Sequence, residues 1–180
     1  VTHLMLASND DWVVPAGVDE RRFCVLEVCS ALKQNHTYFA AIHKQMDNGG
    51  LEAMLYDLQL HDLTNFNIRA VPSTGALIDQ KILSLRGPEA WLYDCLQRGQ
   101  IGHVNWEKDG LEIHKSTAYE DYKDRHRDFR DYAPREVSSW AKSVRNIMRG
   151  TMTECRPDEG GTRVRNLVFL PLGQCRDVFL

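Results

Sequence analysis

The clearest periodicity in the chain lies between residues 134 and 149, where Val137, Trp140, Ala141, Val144, Ile147 and Met148 fall at i, i+3, i+4, i+7, i+10 and i+11. That spacing puts the apolar side chains on one stripe and predicts an amphipathic helix opened by Pro134. The opposite face carries Arg135, Ser138, Ser139, Lys142, Arg145, Asn146 and Arg149. Residues 151–156 and 162–170 read as extended segments flanking Pro157, Asp158, Glu159, Gly160 and Gly161, a strong hairpin turn, and a short helix closes the chain. Upstream, Trp91, Leu92, Cys95 and Leu96 define a helix over 88–98 with Pro88 in its first turn, and a short strand is expected at 111–114. Thr117 and Glu120 form a capping-box signature for a helix reaching about residue 130, with Tyr119, Tyr122 and Phe129 turned inward.

The first half is patterned differently. Residues 1–8 form an apolar run ending in small polar residues, and Phe23, Cys24, Val25 and Leu26 are consecutively apolar, as in a strand covered on both faces. Asn35 or Thr37 can cap a helix through Asp47 with Phe39, Ile42, His43 and Met46 on one side, stopped by Gly49 and Gly50. A second helix starts at Leu51 and carries Met54, Leu55 and Leu58. Ser73 or Thr74 then caps a third with Leu77, Ile78, Ile82 and Leu85, and Arg86, Gly87 and Pro88 form a linker. The expected architecture is α+β and mostly helical, divided at 1–33, 34–87 and 88–180.

At 180 residues, 43% hydrophobic and 26% charged, the chain has enough apolar material for one core or two small ones. A net charge of −3 argues against a globally basic coat protein and leaves room for a local basic face. The five cysteines include no Cys-x-x-Cys pair, so no structural zinc site is expected, and they read as reduced, mostly buried thiols of a cytoplasmic protein. No apolar run approaches bilayer length, and no membrane partner is expected. No Gly-x-x-x-x-Gly-Lys-Ser/Thr loop is present, so the chain by itself is not expected to hydrolyse ATP or to hold any cofactor.

Helix, strand, helix, helix, hairpin is the order of a winged helix-turn-helix. In such a domain the helix over 134–149 would meet DNA, with cations and hydroxyls at phosphates and Asn146 or an arginine at base edges. The hairpin adds Arg156, Arg163 and Arg165. The same face is also compatible with simple solvation or with a protein contact. The preceding helix interleaves Glu120, Asp121, Asp124 and Asp128 with Lys123, Arg125, Arg127 and Arg130, close to charge balance, and reads as solvated side-chain pairs. None of the seven histidines has a ligand or dyad spacing, and the aromatics at 91, 93, 119 and 122 read as core rather than base-stacking platforms.

Asn9 follows the first apolar run, and Arg21 and Arg22 precede the second. An amide at a strand end can read a γ-phosphate, and an arginine can stabilise charge on a transferring phosphoryl group. Asn9 before Asp10 and Asp11 is equally an ordinary turn signal, and paired arginines are commonly solvated. The order apolar strand, Ser8-Asn9, Val14-Pro15 and Asp19-x-Arg21-Arg22-Phe23 resembles the third motif and arginine-finger region of superfamily 3 AAA+ helicases. Within them it is most similar to the phage and plasmid primase-helicases related to the poxvirus primase-helicase. Short matches continue through residues 54–58, 61–63, 66–69, 71–72, 80–81, 170–172 and 175–176.

The resemblance implies a remnant of AAA+ core strands and helices followed by a winged helix. Asn9 would be the sensor and Arg22, with Arg21 as the fallback, the finger reaching a neighbour's nucleotide. It implies ATP and Mg in the full-length parent, a ring of subunits, and DNA as partner. The competing expectations are a non-enzymatic winged-helix regulator with a helical dimerisation segment, and a purely structural interaction domain.

Overall fold

The computed structural model describes residues 4–17, 20, 22–67, 69–106, 108–130 and 133–179. The architecture is α+β, with helices outweighing small antiparallel sheets. In chain order the elements are α1 (His36–Gln45), α2 (Leu51–Leu60), α3 (Gly75–Ser84), α4 (Pro88–Arg98), β1 (Gln100–Ile101), β2 (Val104–Asn105), β3 (Leu111–His114) and α5 (Lys115–Arg125). They continue as α6 (Val137–Ile147), β4 (Met152–Cys155), β5 (Asp158–Glu159), β6 (Thr162–Arg163), β7 (Asn166–Phe169) and α7 (Leu172–Phe179). Contacts divide the chain into two units, Val1–Glu20 with Ile78–Leu180, and Arg21–Leu77.

The larger unit is organised around a three-stranded antiparallel sheet ordered β3-β7-β4, so the last strand in sequence lies in the middle. Leu111 pairs with Phe169 and His114 with Asn166 on one side; Met152 pairs with Phe169 and Cys155 with Asn166 on the other. Leu111, Ile113, Leu167 and Phe169 alternate toward the core, as a half-covered sheet requires. Over them pack Trp91, Leu92, Cys95 and Leu96 of α4, Ala118 and Tyr122 of α5, Trp140, Ala141 and Val144 of α6, and Cys175 and Phe179 of α7. Trp140 is fully buried among the rings of Trp91, Tyr119 and Tyr122, with centroids 5.3, 5.4 and 6.0 Å away.

Several polar contacts finish this unit. Gly99, in the left-handed region, ends α4, and the Arg176 guanidinium donates to the carbonyls of Leu96 and Gln97 at 2.7–3.2 Å, satisfying groups left open at that helix end. Gly110 has φ +118°, and a Cβ there would lie 2.4 Å from the Phe169 carbonyl oxygen, so glycine is required at the entry to β3. Segment 11–16 docks on α3 through buried Gln80, whose amide accepts from Val13 N–H at 2.7 Å and donates to the Asp11 carbonyl at 2.7 Å.

In the smaller unit Asn35 caps α1 by accepting from Tyr38 N–H, and Thr74 accepts from Leu77 N–H at the start of α3. Gly49 and Gly50 end the first helix as expected: the backbone leaves helical geometry at Asn48 (φ −113°, ψ 44°) and Gly49 (φ 87°, ψ 7°), a kink after which α2 begins at Leu51. A Cβ at Gly50 would lie 2.5 Å from the Gln45 carbonyl oxygen.

Three local expectations differ from the structure. Residues 4–8 and 22–29 form no strand among the described residues, and Leu4, Met5, Leu6, Leu26 and Val28 are exposed, Met5 to 96%. A doubly covered strand takes its backbone hydrogen bonds from strands on both sides, and among the described residues no strand lies beside either segment. The helix expected from Thr117 starts two residues earlier. Lys115 N–H still bonds the Arg165 carbonyl at 2.9 Å, so strand passes directly into helix and Thr117 lies inside the first turn. That helix ends at Arg125 rather than near 130, because the chain turns back there. The Phe129 carbonyl accepts from Gly87 N–H at 2.8 Å and Arg130 takes φ +56°. Of the cysteines, Cys95 and Cys175 are buried, Cys155 is half-buried, and Cys24 and Cys29 are exposed, all as free thiols.

Candidate nucleic-acid interface

Because Trp140, Ala141, Val144 and Met148 lock one side of α6 into the core, its other side must face solvent. Arg135, Ser138, Ser139, Lys142, Arg145, Asn146 and Arg149 are all exposed there. Arg135 is held just ahead of the helix: its N–H donates to the Tyr122 hydroxyl at 3.1 Å, its carbonyl accepts from the Tyr119 hydroxyl at 2.9 Å, and its guanidinium donates to Ser143 Oγ at 3.2 Å. The side chains of Lys142, Asn146 and Arg149 have no partner among the described residues. Their charge and donors are available to a ligand.

Arg145 is different. Its guanidinium pairs with Glu154 on β4, and Lys115 Nζ reaches the same carboxylate at 3.4 Å. Burial alone would raise the Glu154 carboxyl, but the two cations outweigh it and hold it below the usual carboxylate range. Its contribution is therefore present at neutral pH and above the unfolded value near 4.5, and is lost as pH falls through the lower folded value. Arg145 is 55% exposed, so water screens much of its share, and the whole effect is on the order of 1 kcal/mol. Glu154→Gln is expected to flatten the acid limb of the stability profile below that range in urea denaturation. An unchanged acid limb would show the carboxylate to be uncoupled.

The hairpin of β5 and β6 carries Arg163, and the chain entering β7 carries Arg165, both exposed. Arg163 lies opposite Asp158 in the ladder, which tempers the hairpin's charge. Between hairpin base and helices lies a cleft of about 320 Å³ lined by Lys115, Ser116, Val137, Ser138, Val164 and Arg165. Neither α5 nor α6 has a side-chain N-cap, so first-turn N–H groups beside those cations and hydroxyls suit an anion. Lys115, Ser116 and Glu154 were not singled out in sequence. Only the strand pairing and the convergence of two helix starts bring them to this face.

The Asn9 region has another geometry. Ser8 and Asp10 hydrogen-bond each other at 2.9–3.0 Å, so Asn9 sits exposed at a tight turn. Arg22 is exposed and belongs to the other unit, and Arg21 and Asp19 lie outside the described residues. Trp91 and Tyr122 are fully buried core residues, with Trp91 Nε1 donating to Asp121 at 2.7 Å. The charged side of α5 is laced by pairs, Arg125 meeting Asp94 at 2.9 Å and Asp121 at 3.9 Å. Cys95 is fully buried, and that burial pushes its thiol far up. Among the described residues no group of His, Cys, Asp or Glu is placed to hold a metal ion, and no helix is long and apolar enough to cross a membrane. No family model, curated protein or solved structure matches this chain.

Proposed function

We propose that this chain is the C-terminal part of a primase-helicase of the phage and plasmid type, in which residues 88–180 form a winged-helix domain that binds DNA during replication. The observation that carries this is the exposed face of α6 with Lys142 and Asn146, followed by exposed Arg149, all three unpartnered among the described residues, together with the Arg163–Arg165 hairpin and the cationic cleft. The strand order β3-β7-β4, with a hairpin extending β4 and β7, supports a winged arrangement. DNA is held mainly through phosphates, with Asn146 as the side chain suited to a base edge. Fluorescence anisotropy of duplex and forked DNA with the chain tests this. Micromolar binding that weakens steeply with salt is expected, and no binding at low salt would remove the reading.

The exposed apolar segments at 4–6 and 26–28 support the ATPase part, since such segments suit strands whose sheet is completed by other residues. Asn9 belongs to one unit and Arg22 to the other. ATP and Mg would be held by the parent's phosphate-binding loop, with Asn9 reading phosphate and Arg22 completing a neighbour's site in a ring. In a longer chain that includes such a loop, Arg22→Ala is expected to lower DNA-dependent ATP turnover about 10³-fold. Near wild-type turnover would exclude Arg22 from the site. A second reading, a non-enzymatic DNA-binding regulator that dimerises, is favoured by the uncovered helices α1 and α2.

A further inference from the structure

We infer that α1 and α2 form a surface through which two copies of this chain pair around a two-fold axis, an inference that does not depend on the helicase reading. Neither helix buries a single residue, in contrast to α4 and α6. Yet α2 is apolar on every side: Leu51, Met54, Leu55, Tyr56, Leu58 and Leu60 are about half exposed or more. Isolated ten-residue helices are marginal in water, and a helix apolar all round takes its stability from being covered.

The charges identify what covers it. Helix α1 carries Lys44 with His36 and His43 and no acid, whereas α2 carries Glu52 and Asp57 and no base. An acidic partner would be repelled by α2 and a basic one by α1. A second copy related by a two-fold axis satisfies both when α1 of each copy lies against α2 of the other, an arrangement that an isologous contact repeats twice. The open groove between the helices, about 860 Å³, is lined on one side by Ala41, Lys44 and Gln45 and on the other by Ala53, Met54 and Asp57. Small residues there let a helix approach closely, and Lys44 of one copy would meet Asp57 of the other.

The exposed large apolar side chains of the two helices, Tyr38 and Phe39 on α1 and six on α2, are 43–65% exposed. Because those of α2 point to every side, one two-fold contact covers about half of them, and at roughly 80–100 Å² each that removes about 400 Å² per copy, the low end of specific interfaces and suited to a concentration-dependent dimer.

The test is sedimentation velocity on the full chain from about 1 to about 100 µM, with Lys44→Glu and Asp57→Lys, both at exposed positions. Wild type is expected to pass from monomer to dimer in this range. Each single variant should weaken association about tenfold or more with unchanged circular dichroism, and an equimolar mixture of the two variants should restore it as a heterodimer. A wild type that stays monomeric throughout overturns the proposal and leaves the pair of helices to a different partner. So does a dimer indifferent to both variants.

Discussion

Trp140→Ala is expected to cost about 3–5 kcal/mol, a large share of the roughly 5–15 kcal/mol that holds a domain together. Trp140 is completely buried and meets rings from both α4 and α5, through Trp91, Tyr119 and Tyr122. Removing it leaves a cavity where three helices meet, and the surrounding rings are too rigid to fill it. A conservative variant separates volume from hydrogen bonding. Trp140 Nε1 is buried without a partner among the described residues, so Trp140→Phe loses ring volume but no hydrogen bond seen there, and it relieves an unsatisfied donor. It is expected to cost only about 1–2 kcal/mol. Urea denaturation followed by circular dichroism measures both. An alanine variant within about 1 kcal/mol of wild type would mean that α6 does not take its orientation from this aromatic cluster.

DNA affinity of the double variant Lys142→Ala, Arg149→Ala is expected to fall roughly fifty- to sixtyfold at about 0.1 M salt, since each phosphate contact contributes about 0.9 to the salt exponent, or about eightfold there. The slope of log affinity against log salt should drop by about 1.8 in parallel. Both side chains are exposed and unpartnered among the described residues, so urea stability should hardly move, which separates lost binding from lost folding. Arg145→Ala should weaken binding less than either single change, because Glu154 already holds its guanidinium, and Glu154→Gln should strengthen binding by releasing Arg145 and Lys115 together. Asn146→Ala is expected to change the ranking of sequences more than the mean affinity. If the double variant binds every duplex as wild type does, the exposed face of α6 is not the DNA surface.

How much of this is visible without coordinates varies by element. The helix α6 and its two faces follow from a single period, because an amphipathic stripe is a property of consecutive residues. The strand at 111–114 and the turn near Gly160 are likewise local. The start of α5 is not. Thr117 and Glu120 carry the correct capping chemistry, but the Arg165 carbonyl, fifty residues away, already holds Lys115 N–H and draws the helix start back to Lys115. Residues 22–29 have strand composition and no strand, since pairing is a property of neighbours rather than of the segment.

The basic face shows the same division. Its residue list can be read along 135–149, whereas the neutralisation of Arg145 depends on β4 lying beside β7, which places Glu154 under that arginine. What the sequence by itself determined is therefore the set of helices, the inward stripes of α4 and α6 and the sign of the charge on α6, all set by spacing of a few residues. The tertiary structure alone decided which cations stay unpaired among the described residues, which cleft forms where the starts of α5 and α6 converge, and which apolar surfaces stay uncovered. Those depend on burial and charge pairing between residues far apart in the chain, and no local period encodes them.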